Sequence, residues 1–291
     1  MEDPQAYRKL LLEQAYTDER AMMVRKKMHD LYSNPHVDMP SWVLDRYQWK
    51  GDESVLDIGS GPGTYLDSLL PRIENGRYTA GDISQGMLKA LRAKGDTSAS
   101  VMDAEALPFP DNTFDVVLAN HMLYHVPNVE DAVKEFRRVM RNSRSMLIVA
   151  TSSEYTMPEF NTLMQRAIRL LRQGAADDIT EHSPLQGFSL ETGTSILARH
   201  FPSVVRYDIP GAIVFPDTEP VIEYFESSRP FYELRLPEGI FWEEFITIMA
   251  NQVGRLIEHF GELVVSKVSG AILATEDGGF VEEYRRKMAE S

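Results

Sequence analysis

The sequence predicts an α/β chain built on an open, doubly wound, mostly parallel sheet. Three observations carry that expectation. Strand-like and helix-like segments alternate from Ser54 to Thr151. The apolar run in FDVVLAN suits a strand covered on both faces. The stretch VLDIGSGPGTYL, Val55 to Leu66, passes from a buried strand through a glycine turn into a helix. Strands alternating with helices imply parallel crossovers, and open sheets of that kind bind ligands at the carboxyl ends of their strands.

Residues 1–50 are expected to form a helical cap, with Leu10, Leu11, Met22, Met23 and Met28 set among charged residues and a break at Asn34-Pro35. A sheet core is expected over 51–214. There SVLDIG is a strand and TYLDSLLPRI a helix, RYTAGDI a strand and QGMLKALRAK a helix, followed by short strands at SASVMDA and FDVVLAN. Val129, Ala132, Val133, Phe136, Val139 and Met140 then recur at helical spacing, with Asn128 placed to cap that helix. SMLIVAT is the next strand. Beyond Thr151 the alternation loosens: a helix follows a cap at Ser189 and stops before Pro202, VVRYDI is a sixth strand and KVSGAILAT a seventh. Between the last two lies a helical insert, 215–262, in which Trp242, Phe245, Ile246, Met249, Val253, Leu256, Ile257 and Phe260 form an apolar stripe ended by Gly261. Residues 263–291 hold the last strand and a tail.

At 291 residues and 43% hydrophobic content, the chain is long enough to bury a full core. No stretch approaches the roughly 18 apolar residues of a membrane span, and MEDPQAYRKL has neither the basic start nor the apolar run of a signal peptide, so a cytoplasmic location without membrane is expected. The absence of cysteine removes disulfides, thiolate zinc sites and cysteine nucleophiles, and no metal site is expected. A net charge of −14 repels a polyphosphate backbone, so nucleic acid is not an expected partner. The basic clusters Arg25-Lys26-Lys27 and Arg285-Arg286-Lys287 read as solvated helix faces.

The glycine turn narrows the ligand. Gly59 and Gly61 match the start of the dinucleotide fingerprint, but Gly63 comes one residue early and Thr64 stands at the final position. Pro62 has no N–H to offer a phosphate, and the Asp57 carboxylate would repel a pyrophosphate. An amino group without a phosphate suits the loop better. Asp82, about twenty residues on, ends the second strand where a carboxylate accepts hydrogen bonds from ribose hydroxyls. Asp103 and Ala104 end the third, placed to receive an adenine amino group and donate an N–H to the ring. Adenosine with a cationic amino-acid tail is S-adenosyl-L-methionine.

With VLDIGSGPGTYL, GDISQGML, DAEALPFPDNTFDVVLANHMLYHV and the following helix in order, the chain resembles class I S-adenosylmethionine-dependent methyltransferases, and among them the small-molecule group called type 11. The resemblance covers Ser54 to Thr151 and implies a Rossmann-like fold. It implies that Asp57, Gly59, Gly61 and Gly63 line the methionine end of the cofactor and that Asp82 holds the ribose. Ile83 and Met87 would sandwich the adenine, Asp103 and Ala104 read its edge, and the Asn120 backbone face the amino group. Where the family usually has a Gly-Gly turn before the fifth strand, this chain has RNSRS.

Transfer of a methyl group from a sulfonium is an in-line displacement that needs alignment, a dry pocket and, for a protonated nucleophile, a base. His121, Tyr124 and His125 in HMLYHV, and His182, are the candidates. Asn120-His121-Met122-Leu123 lacks the Asn/Asp-Pro-Pro-Tyr element that grips planar amino groups, and the lack of cysteine disfavours cytosine C5 and arsenite as targets. The expected partner is therefore a small-molecule acceptor taken at oxygen, nitrogen or carbon. The insert aromatics Phe215, Tyr224, Phe225, Phe231, Tyr232, Phe241 and Trp242 point to a partly apolar one beneath a lid. Monomer and homodimer both remain open. So do a cofactor-binding protein without turnover and a nicotinamide-dependent oxidoreductase.

Overall fold

In a computed structural model that describes residues 4–95, 97–141, 144–172, 185 and 187–277, the alternation read from the sequence is present. In chain order the elements begin with α1 (Pro4–Leu10), α2 (Arg20–Tyr32), the two-residue β1 (Ser33–Asn34) and α3 (Met39–Leu44). β2 (Ser54–Ile58), α4 (Leu66–Leu69), β3 (Arg77–Asp82), α5 (Gln85–Arg92), β4 (Ser98–Val101) and β5 (Val116–Leu118) follow. Then come α6 (Val129–Val139), β6 (Met146–Ser152), α7 (Pro158–Leu171) and α8 (Leu190–Leu197). The last are β7 (Ser203–Phe215), α9 (Thr218–Ser227), α10 (Arg229–Glu233), α11 (Trp242–Phe260) and β8 (Leu263–Thr275).

The strand order is β1-β7-β8-β6-β5-β2-β3-β4. The pairs β2/β3, β2/β5, β3/β4 and β5/β6 are parallel, and β6/β8 is antiparallel. The fold is thus Rossmann-like and mostly parallel, and the seven expected strands gain an eighth, β1, paired antiparallel to β7 at Ser33↔Ile213.

The chain divides into two compact units. The sheet unit comprises Met39–Glu154, Pro184–Ile209 and Ser269–Ser291. Its core packs Val55, Val116, Leu118, Ile148 and Ala150 of adjacent strands with Val43, Leu44, Leu69 and Ile73, while Leu66, Ala80, Leu88 and Leu91 form a second cluster. Its helices start where side chains satisfy orphan amides: Asn128 Oδ1 accepts from Asp131 N, and Ser189 and Thr192 form a reciprocal capping box. The helical unit comprises Met1–Asp38, Tyr155–Ser183 and Pro210–Val268. Phe160, Phe215, Tyr224, Phe225, Trp242, Phe245, Met249 and Val253 fill its core. α11 ends at Gly261, whose φ of 87° supplies the left-handed cap. His182, Asn142 and Ser143 of RNSRS, and Arg285-Arg286-Lys287 lie outside the described residues.

Candidate cofactor site

β2 delivers Asp57 at its carboxyl end, between Ala80 of β3 and Leu118 of β5. Its carboxyl is buried and accepts the Tyr78 hydroxyl at 2.9 Å. Burial pushes its pKa up to about 7, opposed by the Tyr78 bond and reinforced by the Asp82 charge. Past the strand, Gly59, Gly61 and Gly63 have φ of 69°, 54° and 76°, a region that side chains rarely adopt. Space gives a second reason for glycine here. A Cβ on Gly59 would lie 2.6 Å from Met122 Cβ, and one on Gly63 would lie 2.5 Å from Leu91 Cδ1.

The turn is fastened to the end of β3. Gly59 N and Ser60 N both donate to Gly81 O, at 2.7 and 3.0 Å. Gly61 N donates to Asp82 Oδ2 at 2.8 Å, and Ser84 N donates to Asp82 Oδ1 at 2.8 Å. Burial raises the Asp82 pKa, against the backbone bonds from Ser84, Gly61 and Ile83. Ser84 then caps α5 through Met87 N, leaving Ile83 half-buried and Met87 buried. Met102 N donates to Asp82 O at 3.1 Å, so Asp103 and Ala104 follow directly from the same strand ends. Asp103 Oδ1 accepts Glu105 N at 3.0 Å and shapes its own turn, while Ala104 is buried.

After β5, Asn120 Oδ1 accepts Ala150 N and His121 N donates to Ala150 O, both at 2.8 Å, stitching this segment to β6. His121 holds a left-handed φ of 56°, a strained state for a side chain that is commoner at functional sites. Tyr124 and His125 lie in a single 3-10 turn with ring centroids 4.4 Å apart, edge to face.

The expected residues of the sheet unit therefore fall on the carboxyl ends of β2, β3, β4 and β5, the edge where such sheets take ligands. Three buried polar atoms there have no hydrogen-bond partner among the described residues: Ser60 Oγ, Asn120 Nδ2 and Thr151 Oγ1. Such groups are costly unless something satisfies them. Sequence reasoning singled out neither Thr151 nor Tyr78 as site residues. Only the strand register, which sets Tyr78 beside Val55, brings its side chain to Asp57.

The model of a family described as a methyltransferase domain matches residues 56–148, the stretch from β2 into β6 that carries this geometry. Over residues 56–148 the chain is thus similar to that family. The cofactor is S-adenosylmethionine, and the residues of this stretch fit it. Among the described residues Asp57 and Asp82 have no cationic side-chain partner, although both are buried and mutually repulsive. A ligand bearing an ammonium group has the charge that this pair lacks.

The ubiquinone/menaquinone biosynthesis C-methyltransferase UbiE of Cronobacter sakazakii is 30% identical over 167 residues, which cover 50% of this chain and 64% of that protein. The chain thus spans less than two thirds of that curated relative. Two solved structures share the fold. YcgJ of Bacillus subtilis has a TM-score of 0.51 at 15% identity, covering 82% of this chain and 98% of its own. A phosphoethanolamine N-methyltransferase of Haemonchus contortus has a TM-score of 0.54 at 14% identity, covering 93% of this chain and 60% of its own.

Proposed function

We propose that this chain transfers the methyl group of S-adenosylmethionine to a small, partly apolar acceptor at oxygen, nitrogen or carbon. The observation that carries the reading is the buried carboxylate pair Asp57 and Asp82, bracketing a glycine turn and, among the described residues, without a cationic side-chain partner. When bound, the cofactor supplies an electrophilic methyl group whose departure returns an electron pair to sulfur.

The roles of the chain's residues follow from placement. Asp57 and the glycines hold the methionine end, with Asn120 Nδ2 available as a donor to its carboxylate. Asp82 accepts from the ribose through lone pairs left over from Gly61 and Ser84. Ile83 and Met87 flank the adenine, and Asp103 and Ala104 read its edge. His121, Tyr124 and His125 are the candidates to take a proton from the acceptor. In this reading the insert 215–262 acts as a lid that selects the acceptor, and the charge of −14 disfavours nucleic acid in that place. The C-methyltransferase name of the curated relatives supports carbon among the target atoms.

Calorimetric titration of the full chain with S-adenosylhomocysteine, and separately with a nicotinamide dinucleotide, tests the reading. Saturable binding of the first and not the second is expected; the reverse would overturn it in favour of an oxidoreductase.

A further inference from the structure

The buried carboxyl of Asp57 meets a neutral donor where a cation would be the stronger partner. Tyr78 on β3 lies in register with Val55, so Tyr78, Val55 and Asp57 share one face of the sheet. Its ring packs against Leu66, Ala80, Leu88 and Leu91, and its hydroxyl donates to Asp57 Oδ2 at 2.9 Å. A phenylalanine would fill the same apolar space, so packing does not explain the hydroxyl. Burial and the Asp57 charge both raise the pKa of the phenol, which keeps it a neutral donor.

Among the described residues, the titratable groups that act on Asp57 are Tyr78 and Asp82, both on β3, while β5 sets the apolar Leu118 beside it. Burial and the Asp82 charge favour the acid form of Asp57, whereas the Tyr78 bond favours the carboxylate. A lysine or arginine in place of Tyr78 would keep Asp57 ionised and would compete with an ammonium for it. A phenylalanine would withdraw the one side-chain bond that favours ionisation. The phenol does neither, so Asp57 stays poised near neutrality, at about 7. An arriving ammonium brings the positive charge that the acid proton had supplied. The two therefore exchange: the O–H bond of Asp57 breaks, its electron pair stays on the carboxylate and the proton passes to solvent.

We propose that Asp57 releases a proton when the ammonium of the cofactor binds, and that Tyr78 is the positioning residue whose hydroxyl sets the pH range of this exchange. The proposal rests on the methyl-transfer reading above, with Asp57 at the methionine end, and adds a regulation of that site: cofactor affinity falls as pH falls through neutrality.

The test is calorimetric titration of the full chain with S-adenosylhomocysteine at pH 6 and pH 8, in two buffers of different ionisation enthalpy at each pH, which counts the protons released. The parent releases about one proton at pH 6 and about a tenth of one at pH 8, and binds about tenfold more weakly at pH 6. Asp57→Asn abolishes the release at pH 6. Tyr78→Phe, which keeps the ring, weakens binding about tenfold at pH 6, the loss of one hydrogen bond to a charged group, but only about twofold at pH 8, where its release rises to about half a proton. That rise identifies Asp57 as the source even if Asp57→Asn binds too weakly to titrate. The count on the parent needs no variant, so the proposal is decided even where a substitution prevents folding. No release from the parent at pH 6, the same release from Asp57→Asn, or an equal loss with Tyr78→Phe at both pH values, as a purely structural ring would give, overturns it. Failure of S-adenosylhomocysteine to bind at either pH sinks the methyl-transfer reading; binding without proton release sinks this proposal alone.

Discussion

The Gly61 amide donates to the Asp82 carboxylate at 2.8 Å across 21 residues of chain, so the group assigned to the ribose also holds the glycine turn in place. Because the second oxygen accepts Ser84 N, one side chain fixes both the loop after β2 and the start of α5.

Asp82→Ala is expected to lower the affinity for S-adenosylhomocysteine about ten- to a hundredfold, equivalent to about 1–3 kcal/mol, through the lost ribose acceptor and a loosened turn. Asp82→Asn is not conservative here, since its amide nitrogen must face the N–H of either Gly61 or Ser84. Calorimetry on both variants checks this, and parent-like affinity in either would remove Asp82 from the site.

Gly59→Ala places a Cβ 2.6 Å from Met122 at a φ of 69°, whereas Gly239→Ala, at a φ of 87°, meets nothing within 4 Å. Backbone strain alone costs roughly 1–2 kcal/mol. Gly239→Ala should lose about that much in urea unfolding. Gly59→Ala should lose more, because Met122 or the turn must move. Equal losses would mean that close packing contributes nothing to the turn.

The Asp57 carboxyl titrates near 7 in the folded chain and ordinarily at 3.8, so the folded state binds more protons between those values. Its contribution to stability is present below about pH 4 and is lost as pH rises towards 7. Urea midpoints of the ligand-free parent and Asp57→Asn at pH 5 and pH 8 should show the difference shifting in favour of the variant at the higher pH. A difference that does not change with pH would mean that Asp57 is not protonated in the fold.

Local signals make the strand-turn-helix pattern of the sheet unit legible. A tight turn demands glycine, and Asn128 and Ser189 sit where helix amides need acceptors. Longer-range features were hidden. Pro210-Gly211 reads as the end of the strand VVRYDI, yet β7 continues to Phe215, with Gly211 so close to Asn34 O that a Cβ would lie 2.9 Å from it. β8 likewise starts at Leu263, ahead of KVSGAILAT. Apolarity alone defines the stripe of α11 in the sequence, but the structure leaves its last member, Phe260, 68% exposed and buries Gln252 in the same helix, with its Nε2 donating to Leu163 O. Tyr224, outside that stripe in sequence, is nonetheless core. Each depends on a partner far away in the chain, which periodicity does not report.

The central claim is methyl transfer, and the most direct measurement is incubation of the full chain with S-adenosylmethionine labelled in its methyl group and an extract of small metabolites. The account predicts a labelled small-molecule product that forms with the parent chain and falls about tenfold or more with Asp82→Ala at limiting cofactor. No label above that of a protein-free control, in a chain that still binds S-adenosylhomocysteine, would contradict it and leave a cofactor-binding protein without turnover.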